Sequence, residues 1–272
     1  MKLSVDDIQF NLLINENELH QNKTPIVFLH GFTGCANDWK FIFDKLPQNY
    51  LPIAIDLIGH GETDSPIDQS QYTCTAIVNH LHTIFSQLNL GKIIFVGYSM
   101  GGRAALSYSL KFPDEISAEL LESTTAGIDN ICDQKERVEV DLLLVEKIKN
   151  DGVDSFMDFW FSTPLFESLK KLPNYNEEKN KRSQNSVTGL SNILSGFSTG
   201  LMKSYWDLLT SLTFPVLLLS GSLDKKYTGI NKEMNKKFPN SEHKVVSQCG
   251  HNVHLEKPEL FTKFTLEFLN VL

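Results

Sequence analysis

The feature that most restricts how this chain can fold is Gly97-Tyr98-Ser99-Met100-Gly101-Gly102, which follows the apolar run Ile93 to Val96 and precedes the helical run Arg103-Ala104-Ala105-Leu106. A G-x-S-x-G pattern between a strand and a helix forces a tight turn that lifts the serine hydroxyl above the edge of a sheet. The glycines relieve crowding around the turn. Position gives the pattern its weight, since the bare pattern also occurs by chance. A serine at its free pKa is a poor nucleophile or base, so Ser99 needs a partner able to take its proton near neutral pH.

The order of elements supports an α/β fold. Short apolar runs at Pro25–Leu29, Leu51–Ile55, Ile93–Val96, Ile116–Leu121, Val216–Leu219 and Lys244–Val246 alternate with helical patterns. Short apolar strands separated by helices indicate a mostly parallel sheet covered on both faces. Between Tyr72 and Leu90 the residues Ile77, Leu81, Ile84, Phe85 and Leu88 fall at helical spacing, and Pro258–Leu272 is a second helix opened by a proline. From Thr125 to Trp206 the alternation stops and only helical patterns remain. That stretch reads as a helical cap inserted at 125–206 into a core made of 1–124 and 207–272. A separate helical domain is the alternative, but sheet elements resume at Phe214-Pro215 and supply motifs that complete the first half.

A serine elbow, then an acid, then a histidine on such a sheet resembles the α/β-hydrolase superfamily. In that chain order the histidine follows the last strand, which selects His251 in Cys249-Gly250-His251-Asn252. His30 and His60 precede Ser99, and His254 lies in the run toward the last helix. The acid follows the penultimate strand, which selects Asp224; its rival Asp207 lies before that strand. A carboxylate bonded to the imidazole fixes its tautomer and stabilises the imidazolium. His30-Gly31-Phe32-Thr33-Gly34 follows the first strong strand, where the backbone N–H of Phe32 would join that of Met100 in an oxyanion hole. Asp56 to Gly61 reads as a structural turn.

Composition removes other classes. The net charge of −8 is spread without an acidic or basic block, which argues against a nucleic-acid or anionic-membrane partner. The N-terminus has no apolar segment suited to a signal peptide, and no apolar run approaches ~20 residues. Cys35, Cys74, Cys132 and Cys249 are dispersed, as expected of reduced thiols in the cytoplasm rather than a disulfide framework or zinc site. No metal-ligand spacing or dinucleotide fingerprint is present, so no cofactor is expected. A small-molecule substrate remains, with the oligomeric state open and a monomer included.

A closer likeness rests on Gly97 to Arg103, Glu122-Ser123-Thr124, Phe159-Trp160-Phe161 with Pro164-Leu165-Phe166, and Gly250-His251-Asn252-Val253-His254. Together these resemble the 2-succinyl-6-hydroxy-2,4-cyclohexadiene-1-carboxylate synthase family of menaquinone biosynthesis, from about Phe28 to the C-terminus. The resemblance implies a lyase that eliminates pyruvate, with a histidine-activated serine abstracting a proton from a cyclohexene tricarboxylate. It further implies carboxylate-binding arginines at Arg103, Arg137 and Arg182. Those are the only arginines among 25 basic residues. A chain that otherwise uses lysine for solvation has placed arginine where a planar, two-pronged carboxylate partner matters. Tyr98, Trp160 and Phe161 are candidate substrate contacts, with plain packing the alternative for each. Two other readings stay open at this level: a generic esterase or carbon–carbon bond hydrolase using the same triad, and a non-catalytic receptor on the same fold.

Overall fold

The computed structural model describes residues 1–19 and 21–272. Strand alternation sets the layering. In β3 (Thr24–Leu29), successive side chains point to opposite faces, so Ile26 and Phe28 enter one core and Val27 and Leu29 the other. All four are fully buried, and each face of the sheet therefore needs a layer of helices. The strands β1 (Lys2–Val5), β2 (Ile8–Leu13), β4 (Tyr50–Ile55), β5 (Ile93–Tyr98), β6 (Ile116–Glu122), β7 (Val216–Gly221) and β8 (Ser241–Val246) complete a sheet of order β1-β2-β4-β3-β5-β6-β7-β8. From β4 to β8 every pairing is parallel, while β1–β2 and β2–β4 are antiparallel.

One face is covered by α2 (Cys74–Gln87), α3 (Met100–Lys111) and α7 (Lys225–Lys237), through Leu81 and Ile84, Ala104 and Leu106, and Met234. The other is covered by α1 (Lys40–Phe43), α8 (Val253–Glu256) and α9 (Pro258–Leu269), through Ile42, Val253, and Phe261 with Leu269. The amphipathic patterns read at Tyr72–Leu90 and Pro258–Leu272 are the helices α2 and α9, slightly shorter than expected.

The N-terminal hairpin was not expected from the sequence. Its strands are half polar: Ile8, Phe10 and Leu12 are buried while Gln9 faces out. Asp6 and Asp7 both have positive φ, 46° and 64°, and make the two-residue turn between paired Val5 and Ile8. An edge hairpin of this kind lacks the continuous apolar run that marks a strand buried on both faces.

Between β6 and β7 lie the cap helices α4 (Ile131–Ser162), α5 (Tyr175–Arg182) and α6 (Val187–Gly196). The long α4 is broken at Gly152, where φ 78° and ψ 171° suit a residue without Cβ. The cap has its own small core, in which Val145, Ile148, Phe156, Phe161, Leu190 and Leu194 pack, and Phe32 from the sheet side packs against it. It thus sits over the carboxyl ends of the strands, the edge of an open α/β sheet where ligands bind. Among the described residues no helix is long and apolar enough to cross a membrane.

Candidate active site

Ser99 lies between the last residue of β5 and the first of α3 with φ 50° and ψ −107°, a conformation costly for a residue with a Cβ. Close packing enforces it. A Cβ on Gly101 would lie 2.2 Å from the Leu29 carbonyl oxygen, and one on Gly97 would lie 2.7 Å from Gly102 Cα, so the elbow closes only with glycine there. The Ser99 N–H donates to the Glu122 carbonyl at 2.8 Å, and Thr124 Oγ1 donates to the Ser99 carbonyl at 2.7 Å.

The loop after β8 brings His251 Nε2 to 3.2 Å from Ser99 Oγ. On the other side of the ring, His251 Nδ1 is 2.6 Å from Asp224 Oδ2. A carboxylate only accepts, so Nδ1 carries the proton and Nε2 is left to accept from Ser99. Asp224 is fixed in turn as the N-cap of α7, its Oδ1 accepting the Tyr227 N–H at 3.1 Å. The imidazole is 2% exposed and lies against the Tyr98 and Tyr227 rings, with centroids at 5.3 and 4.5 Å. Burial pushes both phenols above their ordinary pKa, with Glu122 adding to the effect on Tyr98, so neither competes for the serine proton near neutrality.

The turn carrying Phe32 is held by His30. The Leu57 N–H donates to His30 Nε2 at 3.0 Å, which leaves Nδ1 to donate to the Gly31 carbonyl at 2.7 Å. Burial lowers the pKa of this imidazole and keeps it neutral, as that pattern requires. Phe32 and Met100 both line the same cavity as Ser99 and His251, whose volume is about 330 Å³.

Two of the three arginines reach that cavity. Arg103 is 8% exposed; its Nη1 donates to the Phe197 carbonyl at 2.8 Å and its guanidinium lies 4.4 Å from the Phe197 ring centre. No carboxylate forms an ion pair with it among the described residues. Burial, and to a lesser degree the nearby Arg137, lowers its pKa to about 10, so it still carries its charge at pH 7. Arg137 gives its Nε to Asp141, which also lines the cavity, at 2.9 and 3.0 Å, and lies beside the Tyr227 phenol.

Arg182, expected from the sequence to contact substrate, is not among the residues that line this cavity. Its Nη2 binds Asp38 and its Nη1 binds Glu178, both at 3.0 Å, and all three side chains are less than 10% exposed. The guanidinium is neutralised by two acids and fastens the cap helix α5 to the segment after the Phe32 turn. Next to it, Asn185 donates to the Thr33 carbonyl at 2.9 Å and accepts the Gly61 N–H at 3.1 Å. Phe161 is buried, stacked on Phe166 at 4.9 Å, and is not among the residues that line the cavity. Tyr98 and Trp160 do line the cavity. Trp160 packs edge-on to Phe32 and stacks on Phe156, and its buried Nε1–H has no partner among the described residues. Sequence reasoning missed Lys226 and Tyr227, which also line the cavity. Their place directly after Asp224 was the available signal. The Phe197 carbonyl had none.

Residues 24–258 match the family described as alpha/beta hydrolase fold. A putative 2-succinyl-6-hydroxy-2,4-cyclohexadiene-1-carboxylate synthase of Bacillus subtilis (strain 168) is 41% identical over 246 residues, covering 90% of this chain and 89% of that protein. The synthase of the same name from Enterobacter sp. (strain 638) is 26% identical, with 86% of each chain covered. The solved structure of MenH from S. aureus superposes with a TM-score of 0.89 at 32% identity, over 96% of this chain and 97% of that one. A thermophilic esterase from Thermogutta terrifontis, at 22% identity and a TM-score of 0.84, shares the fold.

Proposed function

Because this chain belongs to the 2-succinyl-6-hydroxy-2,4-cyclohexadiene-1-carboxylate synthase family of the α/β-hydrolase superfamily, we propose that its Ser99, His251 and Asp224 eliminate pyruvate from 2-succinyl-5-enolpyruvyl-6-hydroxy-3-cyclohexene-1-carboxylate in menaquinone biosynthesis. The chemistry follows from the substrate. Ring carbon 2 carries the succinyl ketone, so its proton is acidified. Removing that proton moves electrons through the ring double bond, leaves double bonds at carbons 2 and 4, and breaks the carbon–oxygen bond at carbon 5. The enolpyruvyl oxygen departs with the electron pair, is protonated, and tautomerises to pyruvate.

No acyl group is transferred, so Ser99 is the base rather than an acylated nucleophile. His251 Nε2 takes the hydroxyl proton, the serine oxygen takes the ring proton, and the imidazolium returns its proton to the leaving oxygen. Asp224 stabilises the imidazolium in between. Negative charge on the ketone oxygen faces the N–H groups of Phe32 and Met100.

The observation that carries this reading is Arg103, a buried guanidinium with no ion-pair partner among the described residues, in the cavity of the Ser99–His251 pair, where the wall carboxylate Asp141 is bound instead to Arg137. A buried charge is stable only when paired, so its counter-ion comes with the ligand. The substrate has three carboxylates, and Arg103, Arg137 and Lys226 are the cations that line the cavity. The four free cysteines suit a cytoplasmic site for the reaction.

Pyruvate release from the enolpyruvyl substrate, followed with a coupled lactate dehydrogenase, tests the assignment. Stoichiometric pyruvate with the absorbance of the conjugated diene is the expected result. Hydrolysis of simple esters without pyruvate release would return the protein to the generic esterase reading.

A further inference from the structure

Two sequence motifs remain without a task in that scheme, Glu122-Ser123-Thr124 and the His254 that follows His251 by three residues. The fold brings them together. Glu122 ends β6 and is 0% exposed, and its carboxylate accepts the His254 N–H at 3.2 Å and binds His254 Nδ1 at 3.0 and 2.8 Å through its two oxygens. The same residue's carbonyl accepts the N–H of Ser99, while two residues on Thr124 holds the Ser99 carbonyl. One residue therefore grips the serine elbow through its backbone and the histidine loop through its side chain.

The surroundings leave the imidazole of His254 little freedom. It is 1% exposed, stacked on Trp39 at 4.5 Å with planes 28° apart, and met edge-on by Tyr98 at 4.7 Å. Tyr98 also touches His251, so its ring stands between the two imidazoles. Neither Glu122 nor His254 lines the cavity that holds Ser99 and the arginines.

We propose that Glu122 and His254 form a positioning pair that sets the separation of Ser99 Oγ and His251 Nε2. Ser99 is held in an unfavourable backbone conformation, and its base arrives on a separate loop 152 residues later in the chain. Proton transfer between them depends steeply on distance, and a misplacement of ~1 Å can cost about a hundredfold in rate. The Glu122–His254 bonds are the direct link between the strand end that fixes Ser99 and the segment that carries His251. They touch no substrate, so they act on turnover and not on binding. This inference concerns the serine–histidine pair whatever its substrate.

A structural role and a positioning role give different results in the double variant Glu122→Met/His254→Phe. It keeps ring packing between Trp39 and Tyr98 and removes both side-chain partners together, a change that buried pairs commonly tolerate, while the backbone N–H of residue 254 loses its acceptor. Expected is a folded protein with a melting temperature lowered by a few degrees, with kcat for pyruvate release lowered ten- to a hundredfold and KM within twofold. The rate at which a fluorophosphonate labels Ser99, which needs no natural substrate, should fall in parallel. A stable double variant that labels at the wild-type rate overturns the proposal. Labelling that slows while no pyruvate is released even by the wild type sustains the positioning pair and removes the lyase reading instead. Should the double variant fail to fold, Glu122→Gln decides: nearly isosteric, it weakens the grip on His254, and an unchanged labelling rate there is equally fatal.

Discussion

Arg103 offers the sharpest test, because the structure assigns it a cost to the empty protein and a benefit to the complex. Burial lowers its pKa to about 10, well below the ordinary arginine range, which corresponds to a penalty of about 3 kcal/mol on the charged form in the folded state. Against this stand one hydrogen bond to the Phe197 carbonyl, worth about 1 kcal/mol, and the contact with the Phe197 ring, worth about 0.5–1 kcal/mol. Replacement by methionine should therefore stabilise the ligand-free protein by about 1–2 kcal/mol while abolishing efficient turnover. Arg103→Lys separates charge from geometry. Lysine keeps the charge but cannot make two parallel bonds to a carboxylate, and losing one charged hydrogen bond of about 1.5–3 kcal/mol lowers kcat/KM roughly ten- to a hundredfold. Pyruvate release gives kcat/KM, thermal unfolding gives the stability change, and fluorophosphonate labelling of Ser99 serves as the control that should not move. If methionine destabilises the protein, or if labelling and lyase activity fall together in the lysine variant, Arg103 is a structural residue and the carboxylate argument fails.

Ser99→Ala and His251→Ala should each lower turnover by several orders of magnitude, and the double variant should be no worse than either, because the two act as one unit; losses that multiply in the double variant would refute the coupled pair. Glu119, at the centre of the sheet, is pushed up to about 7 by burial, against the opposing effect of its hydrogen bond from Ser109. Its folded pKa lies above the unfolded 4.5, so its contribution is intact below pH 4.5, is lost as the pH rises to about 7, and costs up to about 3 kcal/mol above that. Glu119→Gln should flatten that dependence, so urea midpoints for variant and wild type should diverge between pH 5 and pH 8; parallel curves would contradict the buried carboxyl's role.

How much of this was legible depended on whether the signal was local. The serine elbow was readable because strand, turn and helix are contiguous and Gly97 answers a steric need against Gly102 inside the turn, although Gly101 and Gly102 make room for Leu29 and Thr124 from neighbouring strand ends. The parallel strands were readable because burial on both faces demands continuous apolar runs, and β1 and β2 escaped because one of their faces is polar. Trp160 and Phe161 are adjacent on α4, and one side lines the cavity while the other enters the cap core. That split depends on how α4 is rotated against its neighbours, which an aromatic pair in sequence does not reveal. Arg182 misled for a further reason. Its scarcity among lysines pointed to a carboxylate partner, and it has one, but Asp38 lies 144 residues away in the chain and is the protein's own. Rarity predicted the chemistry of the contact and was silent on whose carboxylate it is.

The same distinction explains why the site cannot be found by searching for unfavourable local features alone. Ser99 with positive φ and Arg103 without an ion pair among the described residues each lower stability, and both line one cavity. Glu119 is also unfavourable, with a second carboxyl oxygen that has no partner among the described residues, yet it sits between Phe95 and Val216 in the interior of the sheet where no ligand can reach. What separates the two cases is access. An unpartnered polar group can be completed by a substrate only if it opens on space that a substrate can enter, and then its cost in the empty protein becomes selectivity in the complex. Arg182 makes the complementary point, since it belongs to the same rare residue type and stands next to the same cap, but its two acids complete it before any ligand arrives. Of the three arginines, then, Arg103 is the one that lines the cavity without an ion pair among the described residues, while Arg137 is held by Asp141 and Arg182 fastens the cap.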